Sequence, residues 1–254
     1  VGVACAFGVV AAILLGGAAE RARAQTTPLD VQLADAAPSD QLSGGRPEQL
    51  LLFAGFDIWR YGRAAYGGLQ WSAHGLDNDG FIARLFISEG RERYMLPTQT
   101  FNTDIFRASL LPGWRFKRGD IEVKMFAGLD LDTRHLAPDF SSAPLRGTRL
   151  GARFASEVWW EPTPLIMVAA SAYVTTIGNG AGGRVAAGWR VIDQFWIGPE
   201  LSSSTDVYST QTRFGGHLTG LRTGALEWSA AAGYLTDSYD RNGAYARIGV
   251  LLRQ

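Results

Sequence analysis

Arginines and carboxylates recur at every second position along much of this chain, and that spacing limits the chemistry they could do. In RASLLPGWRFKRGDIEVKMFAGLDL (107–131), Arg107 and Arg115 share one face with Ser109 and Leu111, while Leu110, Trp114 and Phe116 share the other. A side-chain period of two belongs to an extended strand. Polar faces of the same kind carry Arg84, Arg149, Arg153 and Glu157, then Arg184, Arg190, Glu200 and Arg213, then Glu227 and Arg247. Asp57, Glu122, Lys124 and Asp130 complete the set. Two readings follow. Opposite charges on neighbouring strands could pair into a ladder across an enclosed space that must be filled. The same faces could instead line a polar slot for a hydroxyl-rich ligand, with Trp59, Tyr66, Trp159, Tyr173 and Trp196 as stacking platforms for sugars. On the ladder reading, removing Arg149 and Arg153 is expected to leave Glu157 unpaired and to destabilise the fold.

Enzymatic signatures are missing from the sequence. It has no G-x-S-x-G elbow, no H-E-x-x-H, no glycine-rich phosphate loop and no Cys/His cluster, so no catalytic residue, metal site or cofactor is expected. Of the three histidines, His74 and His217 fall on polar faces and His135 in a loop. A serine hydrolase would need one of them beside a presented serine, for which Ser72 and Ser229 are the candidates; a hydrogen-bonded structural histidine is the plainer reading. Asp237-x-x-Asp240 reads as loop surface that could touch a divalent cation.

Composition narrows the setting. The 24 basic and 24 acidic residues balance, which argues against a nucleic-acid partner. Only Lys117 and Lys124 are lysines; the other 22 basic residues are arginines, which suit fixed charge pairs in confined places. Residues 1–19 carry no charge, and Ala22 and Ala24 form an A-x-A signal before Gln25, so 1–24 are expected to be a secretory signal peptide. Cys5, the single cysteine, lies inside it. Residues 25–49 are rich in Pro, Asp, Ser and Ala without a period and read as a flexible linker.

From residue 50 to 254 the period of two returns in segments of about ten residues, the length a tilted strand needs to cross a bilayer. Twelve strands are predicted, within a range of 10 to 14: 51–61, 64–74, 80–88, 107–116, 121–131, 148–160, 165–175, 183–191, 195–202, 212–221, 226–235 and 244–252. The connections alternate. Short turns at 117–120, 161–164, 192–194 and 222–225 separate long loops at 89–102, 132–147, 176–182, 203–211 and 236–243; counting back, 75–79 is a further turn and Gly62-Arg63 a very short outer loop. This parity is that of an antiparallel up-and-down transmembrane β-barrel with its short turns in the periplasm. The rival fold is a soluble periplasmic carbohydrate-binding β domain, which would hide the apolar faces against a second sheet.

The segment GFDIWRYGRAAYGGLQWSAHGLDNDGFIARLF (55–86) resembles the cellulose biosynthesis protein BcsS family, through Gly-Phe-Asp-Ile-Trp at its start, Tyr66-Gly67-Gly68, and Asp79-Gly80-Phe81 opening the strand that holds Arg84. The resemblance extends over the β-rich part as a whole. It implies a non-enzymatic accessory role in bacterial cellulose production, export or anchoring at the outer membrane. The implied partners are outer-membrane lipid and cellulose, another glucan or components of the cellulose synthase complex; the family brings no active site to carry over. An outer-membrane hydrolase acting on lipid or glycan is the alternative.

Overall fold

The computed structural model describes residues 48–254 apart from 97–98, 139–142, 144 and 193–194. The expected signal peptide and nearly all of the expected linker lie outside these residues. Twelve strands form in chain order: β1 Leu50–Trp59, β2 Gly62–Ser72, β3 Gly80–Leu96, β4 Gln99–Arg118, β5 Ile121–Ala137 and β6 Gly147–Thr163. Then follow β7 Ile166–Thr175, β8 Ala181–Val191, β9 Phe195–Thr205, β10 Thr210–Thr223, β11 Leu226–Asp237 and β12 Asn242–Arg253. Each pairs antiparallel with its sequence neighbours, and β1 closes on β12, so every strand has two partners and no edge is left unpaired.

The closure decides between the two folds. Leu110, Leu129, Trp189 and Phe214 are all more than half exposed, on the outer wall of the barrel, with no second sheet over them among the described residues. A soluble domain does not present apolar surface continuously around its circumference; a barrel in lipid requires it. On β4 the outward apolar row runs from Phe106 to Phe116. At about 3.3 Å per residue and a tilt of about 40°, that row spans roughly 25 Å, the height of a transmembrane apolar band.

Three connections differ from the sequence expectation. Residues 89–96 and 99–102 extend β3 and β4 instead of forming a loop, and 132–137 extend β5. Their outward positions turn polar at Glu89, Arg91, Asp104, Thr133 and His135, which disguises them as loop. Inward, the alternation continues through Glu92, Thr103, Asp132 and Arg134, all buried. Above the apolar band an outward side chain has no need to be apolar, so period two persists without hydrophobic contrast. Gly62 and Arg63 belong to β2, opposite Trp59 and Ile58, and the turn is Arg60-Tyr61.

A bulge in β10 also resets the pattern. Thr219 opposes Ser229 and Leu221 opposes Trp228, so one extra residue, Gly220, moves Leu221 from the inward parity of Thr219 to the outward face. Gly220 sits at φ +87°, and a Cβ there would lie 3.0 Å from the Trp196 ring. Gly220→Ala is therefore expected to cost about 1–2 kcal/mol, read as a lowered urea midpoint of the protein in vesicles.

Candidate functional site

The inner wall holds the chemistry. At one side, Arg84 of β3 reaches across to Glu157 of β6, with both carboxylate oxygens accepting its guanidinium, and also donates to Gln70 Oε1 of β2 at 2.7 Å. Lys124 of β5 lies 3.9 Å from Glu157 and 3.0 Å from Glu122, which also accepts from Arg115 of β4 at 2.6 Å. Phe126 lies under the Arg84 guanidinium, 4.2 Å from its ring centre. One network thus ties five consecutive strands.

A second network covers the opposite wall. Glu200 of β9 accepts from Arg184 of β8 at 2.8 Å, from Arg247 of β12 at 2.9 Å and from the Tyr245 hydroxyl at 2.9 Å. Arg213 of β10, 1% exposed, crosses to Asp57 of β1 at 2.6 Å and donates to Gln211 at 2.9 Å, with Trp59 and Tyr245 each 5.1 Å from its guanidinium carbon. Charges this far from solvent persist only when paired; Glu200 is shared among several donors, and Asp57 takes Arg213 through one oxygen.

A third network lies towards the long loops. Arg153 sits 3.2 Å from Asp130, which also accepts from Thr175, and covers the Tyr173 ring at 4.5 Å. Asp132 accepts from both Arg107 and Arg134 at 2.9 Å. Arg134 continues to Asp206 of the β9–β10 loop at 3.3 Å, and Asp206 accepts the backbone N–H groups of Tyr208 and Ser209. The loop thereby folds inward over the barrel, with Tyr208 packed among Leu145 and Ile177. Burial pushes the Asp206 carboxyl above the usual carboxylate range, against the pull of Arg134 and the two N–H groups. At the short-turn end Arg190 pairs with Glu161 at 3.3 Å, and Glu227 with Arg222 at 3.6 Å. There too, Arg118 and the Lys117 N–H hold the Asp79 carboxyl below its ordinary range.

Arg149 is the exception among the charged residues singled out from sequence. It opposes Asp132 in register but is exposed at the long-loop end, where the wall no longer encloses it. Glu157 takes Arg84 and Lys124 as partners instead of Arg149 and Arg153. Parity along one strand places residues on a face; it does not say which cross-barrel partner reaches them.

The five aromatic candidates are all inward and all buried, at 4–8% exposure. Trp159 and Trp196 pack edge to face at 5.6 Å, with Arg190 over Trp196 at 4.4 Å. Tyr66 stacks on Phe86, and Trp59 and Tyr173 lie against Arg213 and Arg153. An incoming sugar would find these rings covered. His74 and His135 are exposed, and the buried His217 has one ring nitrogen 3.1 Å from Thr219 Oγ1 and the other 3.1 Å from the Ala187 carbonyl oxygen. Ser72 donates to the Gly75 carbonyl. Asp237 accepts from the Tyr239 and Arg241 N–H groups and pairs with the Arg241 side chain at 2.7 Å.

The family model for cellulose biosynthesis protein BcsS matches residues 51–254, the whole barrel. The chain belongs to the BcsS family. No curated relative matches this BcsS-family chain. Among solved structures it is similar to an outer membrane channel from Pseudomonas putida, at 9% identity over 91% of this chain and 100% of that one, with a TM-score of 0.51. It is also similar to the KdgM porin in complex with disordered oligogalacturonate (13% identity, 80% and 98% covered, TM-score 0.46). A third is the translocator domain of the autotransporter NalP from Neisseria meningitidis (13%, 83% and 90%, 0.46). At such identities the likeness is one of fold.

Within the BcsS-family barrel, several site residues escape a reading by strand. Asp132 and Arg134 sit where the outward face has turned polar, although the every-second-residue spacing from Asp130 marks them. Gln70, Gln211 and Tyr245 are neutral, so a search for charge passes over them. Asp206 is a loop residue that only the folded chain returns to Arg134. Among the described residues, cavities between these groups include one of about 10 Å³ beside Arg184 and Arg247 and one of about 20 Å³ beside Arg107 and Asp206. Each is of the size that holds one or two waters.

Proposed function

We propose that this protein is a non-enzymatic outer-membrane accessory of bacterial cellulose biosynthesis, one that anchors or organises the export apparatus without conducting glucan through its own lumen. Family membership supports the cellulose connection, and the apolar band with the fold of outer-membrane barrels supports the location. The observation that carries the non-conducting reading is the filled lumen. Three charge networks and the buried aromatics occupy the interior, and the cavities beside Arg184 and beside Asp206, of about 10 and 20 Å³, admit water but no sugar ring. Cellulose, another glucan or a synthase component would then meet the protein at its rims, and lipid would meet the band.

Planar-bilayer recording tests the reading. The purified protein is expected to insert without steady conductance steps; large, steady conductance would overturn the plugged lumen and favour a conduit. Deleting the gene and staining for cellulose tests the pathway: deposition should fall while lipid composition stays unchanged, and the reverse pattern would favour a lipid-directed enzyme.

A further inference from the structure

The outward face above the apolar band differs around the barrel. On β2 and β3, Arg63 and Arg91 oppose each other directly, and Arg63 also opposes the outward Ile58. Directly opposed residues share a face, so both arginines point outward; Arg93, two residues on, shares it. All three are exposed. Elsewhere on this rim, opposed outward pairs include neutral ones bonded to each other, Thr133 with Thr148 at 3.0 Å and Thr205 with Thr210 at 2.9 Å, and Asp104 opposite His135. Like charges directly opposite repel. Asp104, next in the row, engages Arg91 at 2.5 and 3.1 Å, whereas neither Arg63 nor Arg93 has a carboxylate partner among the described residues.

Ile58 lies just below Arg63, and beneath Arg91 the outward row passes through the exposed Glu89 to Ile87, with Phe106 opposite Glu89; the three apolar side chains are each 43–49% exposed on the lipid side. Guanidinium groups at the top of an apolar wall match the phosphate of a lipid whose acyl chains run down that wall. We propose that Arg63, Arg91 and Arg93 form a docking site for a phosphate group of the outer leaflet's phosphorylated glycolipid, which bridges Arg63 and Arg91 and relieves their repulsion. The site rests on the outer-membrane reading for its leaflet.

The test places the full-length protein in phosphatidylcholine vesicles containing either bisphosphorylated or dephosphorylated lipid A, and measures retained lipid A by mass spectrometry after a detergent wash. The wild type is expected to retain the phosphorylated form about tenfold better, and Arg63→Gln/Arg93→Gln to lose that preference. Added inorganic phosphate should not compete. Equal retention of both lipids, an unchanged preference in the variant, or full competition by free phosphate would each overturn the site. Both substituted side chains are exposed, and heat-modifiable migration on a gel verifies that the variant folds. A protein that does not insert into plain phosphatidylcholine would count against the outer-membrane reading; insertion without a lipid preference counts against this site alone.

Discussion

Glu157→Ala should lower the stability of the barrel by about 3–5 kcal/mol in urea titrations followed by tryptophan fluorescence in vesicles. The Glu157 side chain is 3% exposed and accepts both bonds of the Arg84 fork, with Lys124 at 3.9 Å. Removing the carboxylate leaves a buried guanidinium without its counter-ion, facing the neutral Gln70 Oε1. Glu122 does not replace it, being already shared by Arg115 and Lys124. Arg84→Ala should cost a similar amount, and the double variant distinctly less than the two losses added, because each single change leaves the other charge uncompensated. Arg149→Ala provides the contrast. Its exposed side chain predicts a change within about 0.5 kcal/mol. Equal effects of Glu157→Ala and Arg149→Ala would mean that the cross-barrel pairs do not hold the wall.

The second large effect concerns Arg213 and Asp57, whose side chains are each 1% exposed and bridge β10 to β1 at 2.6 Å. Either residue changed to alanine should cost about 3–5 kcal/mol, since the survivor is a buried charge without its counter-ion. Arg213→Met with Asp57→Leu should instead come within about 1–2 kcal/mol of the wild type, because two apolar groups remove the desolvation penalty of both ions together. The residual loss arises at Gln211, whose Oε1 loses the Arg213 Nε donor. If the apolar pair were as damaging as the single alanine changes, the site would depend on the charges for more than mutual neutralisation. Planar-bilayer recording of the same variant then shows whether a lumen filled by apolar side chains stays closed.

Much of the architecture is written in local pattern. Alternation along 121–131 or 226–235 places each side chain in or out, since a strand turns successive residues to opposite faces and lipid rewards one of them. Strand number and the inward direction of Arg84, Arg184, Glu200 and Arg247 follow from that rule, whereas the long connection expected at 89–102 is mostly strand. The resemblance read on Gly55–Phe86 names the family whose model matches residues 51–254. The pattern loses its voice where its physical cause stops. Above the apolar band, the outward face of β3 to β5 turns polar while the inward face mixes Asp132 and Arg134 with Phe101, Ile105 and Leu136, so the hydrophobic contrast is lost and Asp132 and Arg134 look like loop, and a single bulged glycine shifts the parity of β10.

Pairing across the lumen lies wholly beyond local pattern. Which charge meets which depends on barrel circumference, strand stagger and side-chain reach, quantities that exist only once β1 has closed on β12. Glu157 could have been neutralised by Arg153 on its own strand; closure brings Arg84 from three strands away, and leaves Arg153 to Asp130. Arg149 has the parity of an inward residue but sits where the wall has ended. The amino-acid order by itself determined that this chain makes a two-faced, charge-lined barrel, because period two and the solvent on each side act residue by residue. Only the tertiary structure decided that the lumen is filled, because packing and ion pairing join residues far apart in sequence through the space that the closed sheet encloses.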